Sequence, residues 1–204
     1  MRRPLFVTGI GTGVGKTVVA AVLTEQLEAD YWKPVQAGDL ERSDSISVAG
    51  LISNSKTVIY PECHRFDLAA SPHKAAAFED VSISRRDFVL PETDNLLVIE
   101  GAGGLMVPLS DSLLMIDLIT QFEAEAVLVV RNYLGCINHT LLSMHLLWSR
   151  NIPIHAVVFN GDMDPDTESI LLNYFSAGTP IIRIPEFATL DRAALLQCPT
   201  LFSS

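Results

Sequence analysis

A glycine-rich segment near the start of the chain has the residue types that bind phosphate. Residues 9–17 read Gly-Ile-Gly-Thr-Gly-Val-Gly-Lys-Thr and follow the apolar run Leu5–Thr8. Backbone N–H groups of such a turn can surround a phosphate, and the positive end of a following helix adds to the attraction. Lys16 can then reach the terminal phosphates, and the Thr17 hydroxyl can bind Mg²⁺.

The strict phosphate-loop pattern has a glycine at position 10, where this chain has Ile10. The alternatives are a glycine-rich turn without a ligand and a dinucleotide site, but the dinucleotide spacing Gly-x-Gly-x-x-Gly is absent. The segment therefore predicts a nucleoside triphosphate site.

A second lysine and a carboxylate follow in positions that suit the same chemistry. Lys33 lies in the predicted strand Tyr31–Val35, and Pro34 favours an extended conformation for it. Because the strands of a βαβ unit end at the same edge of the sheet, Lys33 would face the triphosphate or an attacking group. The alternative interpretation is that Lys33 is a surface lysine at a strand end. Asp44 precedes the apolar, helix-like run Ile46–Ile52. Its carboxylate would complete a magnesium shell or cap that helix.

Glu100 is another carboxylate residue and lies at the end of a predicted apolar strand. It closes the run Leu96–Glu100 and is followed directly by the sequence Gly-Ala-Gly-Gly. Mg²⁺ takes one or two protein carboxylates together with phosphate and water oxygens, so Glu100 is a candidate ligand. The glycines let the backbone approach a ligand closely. The alternative is a strand-to-loop exit with Glu100 in solvent.

Alternating strands and helices would position these groups. The predicted strands are Leu5–Thr8, Tyr31–Val35, Leu96–Glu100, Ala126–Val130, Ile154–Asn160 and Ile181–Ile184. The predicted helices are Lys16–Glu28, Met115–Phe122, Asn138–Ser149 and Thr167–Phe175. This alternation, with continuous apolar strands, predicts an α/β fold: a doubly wound, mainly parallel sheet with helices on both faces. Within Ser53–Pro91 the pattern indicates only a helix near His73–Phe78. With no linker or repeat visible, residues 1–204 are predicted to form a single domain.

The composition limits the classes of partner. Fourteen Lys and Arg against 24 Asp and Glu give a net charge of −10, which disfavours a sequence-independent nucleic-acid binder or an anionic-membrane binder. The cysteines Cys63, Cys136 and Cys198 are odd in number and widely spaced, so a disulfide framework or zinc site is not expected. No apolar run approaches 18 residues and the start does not resemble a signal peptide, so we expect a cytoplasmic protein.

Five sequence blocks occur in order across about residues 4–190 and carry a family resemblance. They are Thr8-Gly9 with Thr12 and Val14–Thr17, Lys33-Pro34-Val35 with Gly38, Ser71-Pro72-His73 with Ala75-Ala76, Glu100–Gly104 with Val107-Pro108-Leu109, and Leu134–His139. Together they resemble the dethiobiotin synthetases of biotin biosynthesis, and the last two blocks are far more specific than the phosphate loop alone. The resemblance implies a homodimeric P-loop enzyme with ATP as co-substrate and Mg²⁺ as cofactor. Its reaction would close a ring on diaminopelargonate with CO₂ or bicarbonate, releasing ADP and phosphate.

The resemblance also implies roles for individual residues. The implied catalytic residues are Lys33, Lys16 and Thr12. The implied metal ligands are Thr17, Asp44 and Glu100. The implied nucleotide-binding residues are these three with Gly13, Val14, Gly15, Lys16, Val18, Gly101, Ala102, Gly103, Asn160, Gly161, Pro185, Glu186 and Phe187. The implied substrate-binding residues are Lys33, Ala37, Ser71, Pro72, Gly135, Cys136, Ile137 and Asn138, of which the last four would act across the dimer interface.

Two positions depart from the family pattern. Ala37 stands where many members have a hydroxyl residue in contact with substrate, and Gly13 stands where many have an acidic residue. Each change removes a polar contact, so it bears on substrate or nucleotide preference more than on the class of reaction.

Two other classes of P-loop protein are alternatives to this interpretation. A dimeric ATPase switch of the chromosome-partitioning type has a signature lysine five residues before the position of Lys16, where this chain has Gly11. Such switches also often carry a basic DNA-binding face, which the acidic composition disfavours. A cobyrinate-type amidotransferase synthetase would need a glutaminase domain, for which we expect no room within 204 residues.

Overall fold

The computed structural model describes residues 2–198 and is built around a parallel β-sheet. The strands are β1 (Leu5–Gly9), β2 (Asp30–Trp32), β3 (Val35–Ala37), β4 (Ile59–Tyr60), β5 (His64–Phe66), β6 (Leu97–Gly104), β7 (Pro108–Ser110), β8 (Leu113–Leu114), β9 (Glu125–Val130), β10 (Ile154–Asn160) and β11 (Ile181–Ile184). The α-helices are α1 (Lys16–Gln26), α2 (Asp44–Leu51), α3 (Pro72–Phe78), α4 (Met115–Gln121), α5 (Cys136–Ser149), α6 (Pro165–Tyr174) and α7 (Arg192–Gln197). The main sheet has seven strands in the order β11-β10-β9-β1-β6-β2-β4. All of its neighbouring pairs are parallel.

The central strands of this sheet are buried on both faces. Every residue of β1 is buried, and so is every residue of β9 after Glu125. Continuous apolar strands of this kind need cover on both sides, and right-handed crossovers to either side of β1 place helices on both faces. The predicted doubly wound parallel α/β sheet is therefore confirmed.

The strand order reverses beside β1. From β1 the chain passes to β2 and β4 on one side of the sheet, and β9, β10 and β11 later extend it on the other side. Connections that leave neighbouring strands in opposite directions open a crevice at the carboxyl ends of those strands. The phosphate-loop segment follows β1 directly and so lies at this crevice.

The expected strand Tyr31–Val35 is wrong as a single element. The structure divides it into β2 and β3, with Lys33 and Pro34 between them. Proline has no N–H to donate to the sheet, and the Pro34 carbonyl accepts hydrogen bonds from the backbone N–H groups of Cys63 (2.9 Å) and His64 (3.1 Å). These bonds lead into a separate two-stranded sheet of β3 and β5. Lys33 consequently stands at a corner where the chain leaves the main sheet.

The strand that carries Glu100 is longer than expected. β6 continues to Gly104, and the β1–β6 register shifts between Val7, which pairs with Glu100, and Gly9, which pairs with Gly104. Glu100 therefore lies inside a strand and is buried, and the alternative that placed it in solvent is wrong.

Several helix bounds differ from the expected ones by one or two residues. α1 ends at Gln26 before Glu28, and α5 begins at Cys136. α6 begins at Pro165 because the Asp164 side chain caps it, accepting a hydrogen bond of 2.8 Å from the Thr167 N–H.

The segment Ser53–Pro91 contains more than the one expected helix. α3 begins at Pro72, close to the predicted start, and the short strands β4 and β5 and a 3₁₀ turn at Arg85–Asp87 accompany it. The antiparallel pair β7–β8 and helix α7 were also not predicted. Strands of two or three residues are too short to show a periodic apolar pattern. Within residues 2–198, no helix has both the length and the apolar character needed to span a membrane.

Candidate active site

The phosphate-loop segment forms a tight turn between β1 and α1. Gly15 has a left-handed conformation with φ of 92° and directly precedes the first residue of α1, Lys16. Glycine adopts this conformation at little cost, whereas other residues rarely do. The Lys16 ammonium donates a 3.1 Å hydrogen bond to the Gly11 carbonyl across the loop. The loop is thus closed over the N-terminus of α1, where backbone N–H groups attract an anion.

Asn160, at the end of β10, holds the other side of this loop. Its side-chain amide donates a 3.0 Å hydrogen bond to the Val14 carbonyl. A Cβ atom at Gly15 would overlap the same amide. The loop therefore needs glycine at position 15 for its backbone conformation and for this contact.

Lys33 and two carboxylates form a buried ionic cluster beside the loop. The Lys33 ammonium lies 3.1 Å from Oε1 of Glu100 and also contacts Oδ2 of Asp44. The Lys33 side chain is 5% exposed, the Glu100 side chain is 1% exposed, and Asp44 is at the solvent side of the cluster. Asp44 does not cap α2, because Ser43 does so by accepting a hydrogen bond from the Ile46 N–H. The helix-capping alternative for Asp44 is therefore wrong.

This environment shifts the pKa values of the two lysines in opposite directions. Burial lowers the pKa of Lys16 below its usual value of 10.5. The nearby Lys33 charge lowers this pKa further, while the carboxylates of Glu100 and Asp44 act to raise it without outweighing burial. Burial acts in the same direction on Lys33, but there the carboxylates of Glu100 and Asp44 outweigh it and raise the pKa above 10.5. Lys33 therefore stays positively charged in neutral solution.

Thr17, Asp44 and Glu100 form an oxygen donor set that suits magnesium. The Thr17 hydroxyl oxygen lies 2.9 Å from Oε1 of Glu100 and 3.0 Å from Oδ1 of Asp44. One hydroxyl proton cannot serve both carboxylates at once. Among residues 2–198, no group of three or more His, Cys, Asp or Glu side chains could hold a metal. Two carboxylates and a hydroxyl match Mg²⁺, which usually completes its shell with phosphate and water oxygens. The residues present therefore fit this ion.

Two side chains that the sequence analysis missed support the carboxylates. The Tyr31 hydroxyl donates a 2.8 Å hydrogen bond to Oε2 of Glu100. Burial, and then the Glu100 carboxylate, raises the pKa of Tyr31 well above its usual value of 10, so the hydroxyl remains a neutral donor. The Gln36 side chain accepts from the Asp44 N–H (3.2 Å) and donates to the Gly38 carbonyl (2.9 Å). The feature of the sequence that could have indicated Tyr31 is its position two residues before Lys33, which is the spacing of side chains on one face of a strand.

Most of the expected site residues line one cleft of about 700 Å³. The expected residues that line it are Thr12, Gly13, Gly15, Lys16, Thr17, Val18, Lys33, Ala37, Asp44, Ser71, Pro72, Glu100, Ala102 and Gly103. Val35, Gln36, Ala69, Ala70 and Val107 also line it and were not predicted as site residues. Four of these five side chains are alanine or valine, which carry no signal of chemistry in the sequence.

Val14 and Gly101 do not line this cleft. The Val14 side chain is buried in the core, and the backbone carbonyl of that residue is the part held by Asn160. A Cβ atom on Gly101 would lie 2.8 Å from Cε1 of Phe6. The glycine at position 101 is thus required by packing against the neighbouring strand.

The residues expected near the nucleotide base do not line this cleft. Gly161 and Pro185 line a second cleft of about 390 Å³. The Glu186 carboxylate is bound by Arg131, whose guanidinium donates to Oε1 (2.7 Å) and Oε2 (2.8 Å). Phe187 is partly buried against the hydrophobic core. These residues are close to Asn160 in the chain or in space, but they are separate from the cleft that contains Lys33.

The expected substrate segment at residues 135–138 is also outside the main cleft of its own chain. It forms the start of α5, with Gly135 at φ of 105° before the first helical residue, Cys136. Cys136 is buried, whereas Ile137 and Asn138 are exposed. A third cleft of about 400 Å³ separates α5 from the phosphate loop. Within one chain the structure does not bring residues 135–138 to Lys33.

Comparison with known proteins places this chain in a family. A family model described as an AAA domain matches residues 3–194. The ATP-dependent dethiobiotin synthetase BioD of Christiangramia forsetii is 49% identical over 171 residues, which cover 84% of this chain and 82% of the relative. That of Agrobacterium fabrum is 46% identical over 191 residues, covering 94% of this chain and 90% of the relative.

Solved structures share the architecture at much lower identity. The cell division ATPase MinD of Pyrococcus furiosus has a TM-score of 0.59 at 18% identity, covering 96% of this chain and 88% of that one. A ParA family ATPase from Chlorobium tepidum has a TM-score of 0.51 at 13% identity, covering 98% and 91%. Likeness at this identity shows the fold alone, whereas the curated relatives agree with the expected family over most of both chains. The chain belongs to the ATP-dependent dethiobiotin synthetases and is an ATP-dependent ligase.

Proposed function

We propose that the protein forms the ring of dethiobiotin from diaminopelargonate and CO₂, with ATP and Mg²⁺, releasing ADP and phosphate. The observation that carries this proposal is the buried Lys33, held by Asp44 and Glu100 in the same cleft as Lys16 and Thr17. A cation at this position lies beside the phosphate loop and can hold a second anion against the terminal phosphate. Residues 1–204 act in this proposal as one nucleotide-binding domain.

The proposed reaction has two bond-forming stages. One substrate amine adds to CO₂ and loses a proton, which gives a carbamate. A carbamate oxygen then attacks the γ-phosphorus, and the bond to the β–γ bridging oxygen breaks. ADP leaves, and a carbamic-phosphoric anhydride remains. The second amine attacks the carbamoyl carbon, the bond from this carbon to the phosphate oxygen breaks, and phosphate leaves as the ring closes with loss of a proton.

Lys33 and Lys16 have distinct parts in this sequence. An ammonium has three N–H donors, and Asp44 and Glu100 are the two groups that accept from Lys33 within the described structure. One donor is therefore left to hold the carbamate beside the γ-phosphate. Lys16 holds the transferring phosphate, and Thr12, which lines the same cleft, contacts it from the loop. Phosphoryl transfer depends mainly on such positioning and charge neutralisation.

Magnesium fits beside these lysines. Thr17, Asp44 and Glu100 would hold the ion, which supplies positive charge to the phosphate oxygens when bound. The backbone of Gly13, Gly15 and the first turn of α1 would bind the phosphates. We place the base near Asn160 and Gly161, with residues 185–187 on its other side.

The remaining lining of the cleft suits an aliphatic diamine. Ala37, Ala69, Ala70, Pro72 and Val107 give it apolar walls, while Ser71 contributes a hydroxyl. Ala37 cannot donate the hydrogen bond that many relatives make there. We therefore expect the substrate chain to be held mainly by apolar contact on that side.

We also propose a homodimer, because residues 135–138 do not reach the cleft of their own chain. The exposed side chains of Met106 and Leu142 line the third cleft, and fully exposed Leu134 lies just before the start of α5. A second copy packing there would bury them, and the N-terminus of α5 would bind the substrate carboxylate in the neighbouring site. The proposed working form is a cytoplasmic enzyme that binds neither nucleic acid nor membrane.

Phosphate release measured with and without each substrate tests this function. We expect release from ATP to depend on both diaminopelargonate and bicarbonate. ATP hydrolysis that is indifferent to both, but stimulated by DNA or lipid, would contradict the proposal and favour an ATPase switch. Running the assay with several triphosphates also defines the base preference.

A further inference from the structure

The two oxygens of the Glu100 carboxylate have different partners. Oε1 is shared by the Thr17 hydroxyl at 2.9 Å and the Lys33 ammonium at 3.1 Å. Oε2 accepts the hydrogen bond of 2.8 Å from the Tyr31 hydroxyl. The Glu100 side chain is 1% exposed and Tyr31 is fully buried, so neither group can exchange this partner for bulk water. The orientation of the carboxylate therefore depends on Tyr31.

The sheet register explains why Tyr31 reaches this oxygen. Tyr31 pairs with Val98 across the β2–β6 ladder, and Glu100 is two residues further along β6. Side chains two residues apart in a strand lie on the same face. Tyr31 is thus a diagonal neighbour of Glu100 on one face of the sheet, at a distance that a long aromatic side chain can span.

From this geometry we propose that Tyr31 is a positioning residue for the metal–nucleotide site. Its hydroxyl fixes Oε2 of Glu100 and so directs Oε1 toward Thr17 and Lys33. The inference rests on the proposed function, in which Glu100 holds magnesium. Hydrogen-bond partners of metal-binding carboxylates typically change metal affinity or activity by 10–100-fold when they are removed.

A purely structural Tyr31 would behave differently. The ring alone fills the space in the core, and phenylalanine has the same ring. A hydroxyl buried in the sheet loses its hydration and must be compensated by a hydrogen bond. If Tyr31 had only a packing role, Tyr31→Phe would alter stability alone and leave the metal dependence unchanged.

The test compares Tyr31→Phe with Tyr60→Phe. Tyr60 lies on the neighbouring strand β4, and its hydroxyl donates to the Glu92 carbonyl, away from the cleft. The first measurement is Mn²⁺ affinity by electron paramagnetic resonance, in the presence of a non-hydrolysable ATP analogue. The second is the Mg²⁺ concentration that gives half-maximal phosphate release. We expect Tyr31→Phe to weaken Mn²⁺ binding by roughly 10–100-fold, and to recover most of its maximal rate at high Mg²⁺. We expect Tyr60→Phe to match the wild type in both measurements.

A Tyr31→Phe affinity for Mn²⁺ within about twofold of the wild type would overturn the role of Tyr31. If this variant is intrinsically less stable, the rise in Tm caused by Mn²⁺ with the nucleotide analogue still reports the linkage; an unchanged rise would likewise overturn the inference. Wild-type protein that binds metal and nucleotide but releases no phosphate with the proposed substrates would reject the proposed function and leave the Tyr31 effect on binding intact. Wild-type protein that binds no Mn²⁺ with nucleotide would overturn the metal site and the inference together.

Discussion

The Lys33 ammonium lies 3.1 Å from Oε1 of Glu100, and both side chains are almost completely buried. Removing two charges from water costs several kcal/mol per ion, which a single contact does not fully recover. Here a second carboxylate, Asp44, and the hydroxyls of Thr17 and Tyr31 satisfy the same cluster. Such an arrangement keeps a cation and the two carboxylates proposed to bind the metal in fixed positions before any ligand binds, as preorganised electrostatic catalysis requires.

Lys33→Ala is expected to bind ATP but to turn over poorly. The substitution removes the cation proposed to hold carbamate and γ-phosphate together, while Lys16 and the loop are retained. Loss of one preorganised charge typically lowers the rate by about 10²–10³-fold. Isothermal titration with ATP and bicarbonate-dependent phosphate release measure the two effects separately. Lys56→Ala is a suitable control, because Lys56 pairs with Glu28 at the exposed surface. Near-normal turnover of Lys33→Ala would refute the assigned role.

Gly15→Ala is expected to weaken nucleotide binding more than its backbone strain alone explains. The added Cβ would overlap the Asn160 amide and displace the hydrogen bond to Val14. Overpacking of this kind costs about 1–3 kcal/mol, which corresponds to roughly 5- to 150-fold in affinity if the loop must move before it binds phosphate.

Gly178→Ala supplies the matched control for this loop prediction. Gly178 has a φ of 90°, close to that of Gly15, but a Cβ there would have no atom within 4 Å. It should lower stability by about 1 kcal/mol through strain without affecting ATP affinity. Equal ATP affinities for the two variants would show that the contact with Asn160 does not shape the loop.

Leu134→Asp is expected to give a monomer that is inactive. A charge at this fully exposed apolar position would have to be buried at the proposed interface, at a cost that association cannot recover. Sedimentation velocity should show the change in mass, and turnover should fall with it. Val89→Asp, at another exposed apolar position, should leave both unchanged. An active Leu134→Asp monomer would contradict a substrate site completed by the second chain.

The Glu25 carboxylate gives a predicted dependence of stability on pH. Partial burial acts to raise its pKa, but hydrogen bonds from Ser53 and Asn54 outweigh this and hold the pKa below the usual 4.5. A lowered pKa means that the stabilisation is complete above about pH 4.5 and is lost as the pH falls through the folded-state value. Glu25→Gln should therefore be less stable than the wild type at pH 7, on the order of 1 kcal/mol after solvent screening. That difference should shrink below pH 4.

Urea unfolding of both proteins at pH 7 and in acid measures the Glu25 contribution. Glu41→Gln removes the same charge from an exposed position and serves as the control. A stability difference between Glu25→Gln and wild type that stays constant across this pH range would disprove the ionic contribution.

Local patterns in the sequence determined the class of the fold and the family of the protein. The glycines and Lys16-Thr17 indicated the phosphate loop, because a left-handed turn and a helix N-terminus depend on residues that are close in the chain. The apolar runs likewise indicated strands β1, β9 and β10, because a continuous apolar run is a property of each segment by itself. The same reasoning failed at Lys33, where the break between β2 and β3 depends on bonds from Pro34 to Cys63 and His64.

Tertiary structure alone decided which side chains meet. Thr17 and Glu100 are 83 residues apart in the chain, and Asn160 is 146 residues from Val14, yet each pair forms a hydrogen bond. Tyr31 contacts Glu100 only because of the parallel register between β2 and β6. Strand order and register result from packing of the whole core, since a shift of one residue would turn every side chain of a strand to the other face. No local pattern in the sequence contains that information.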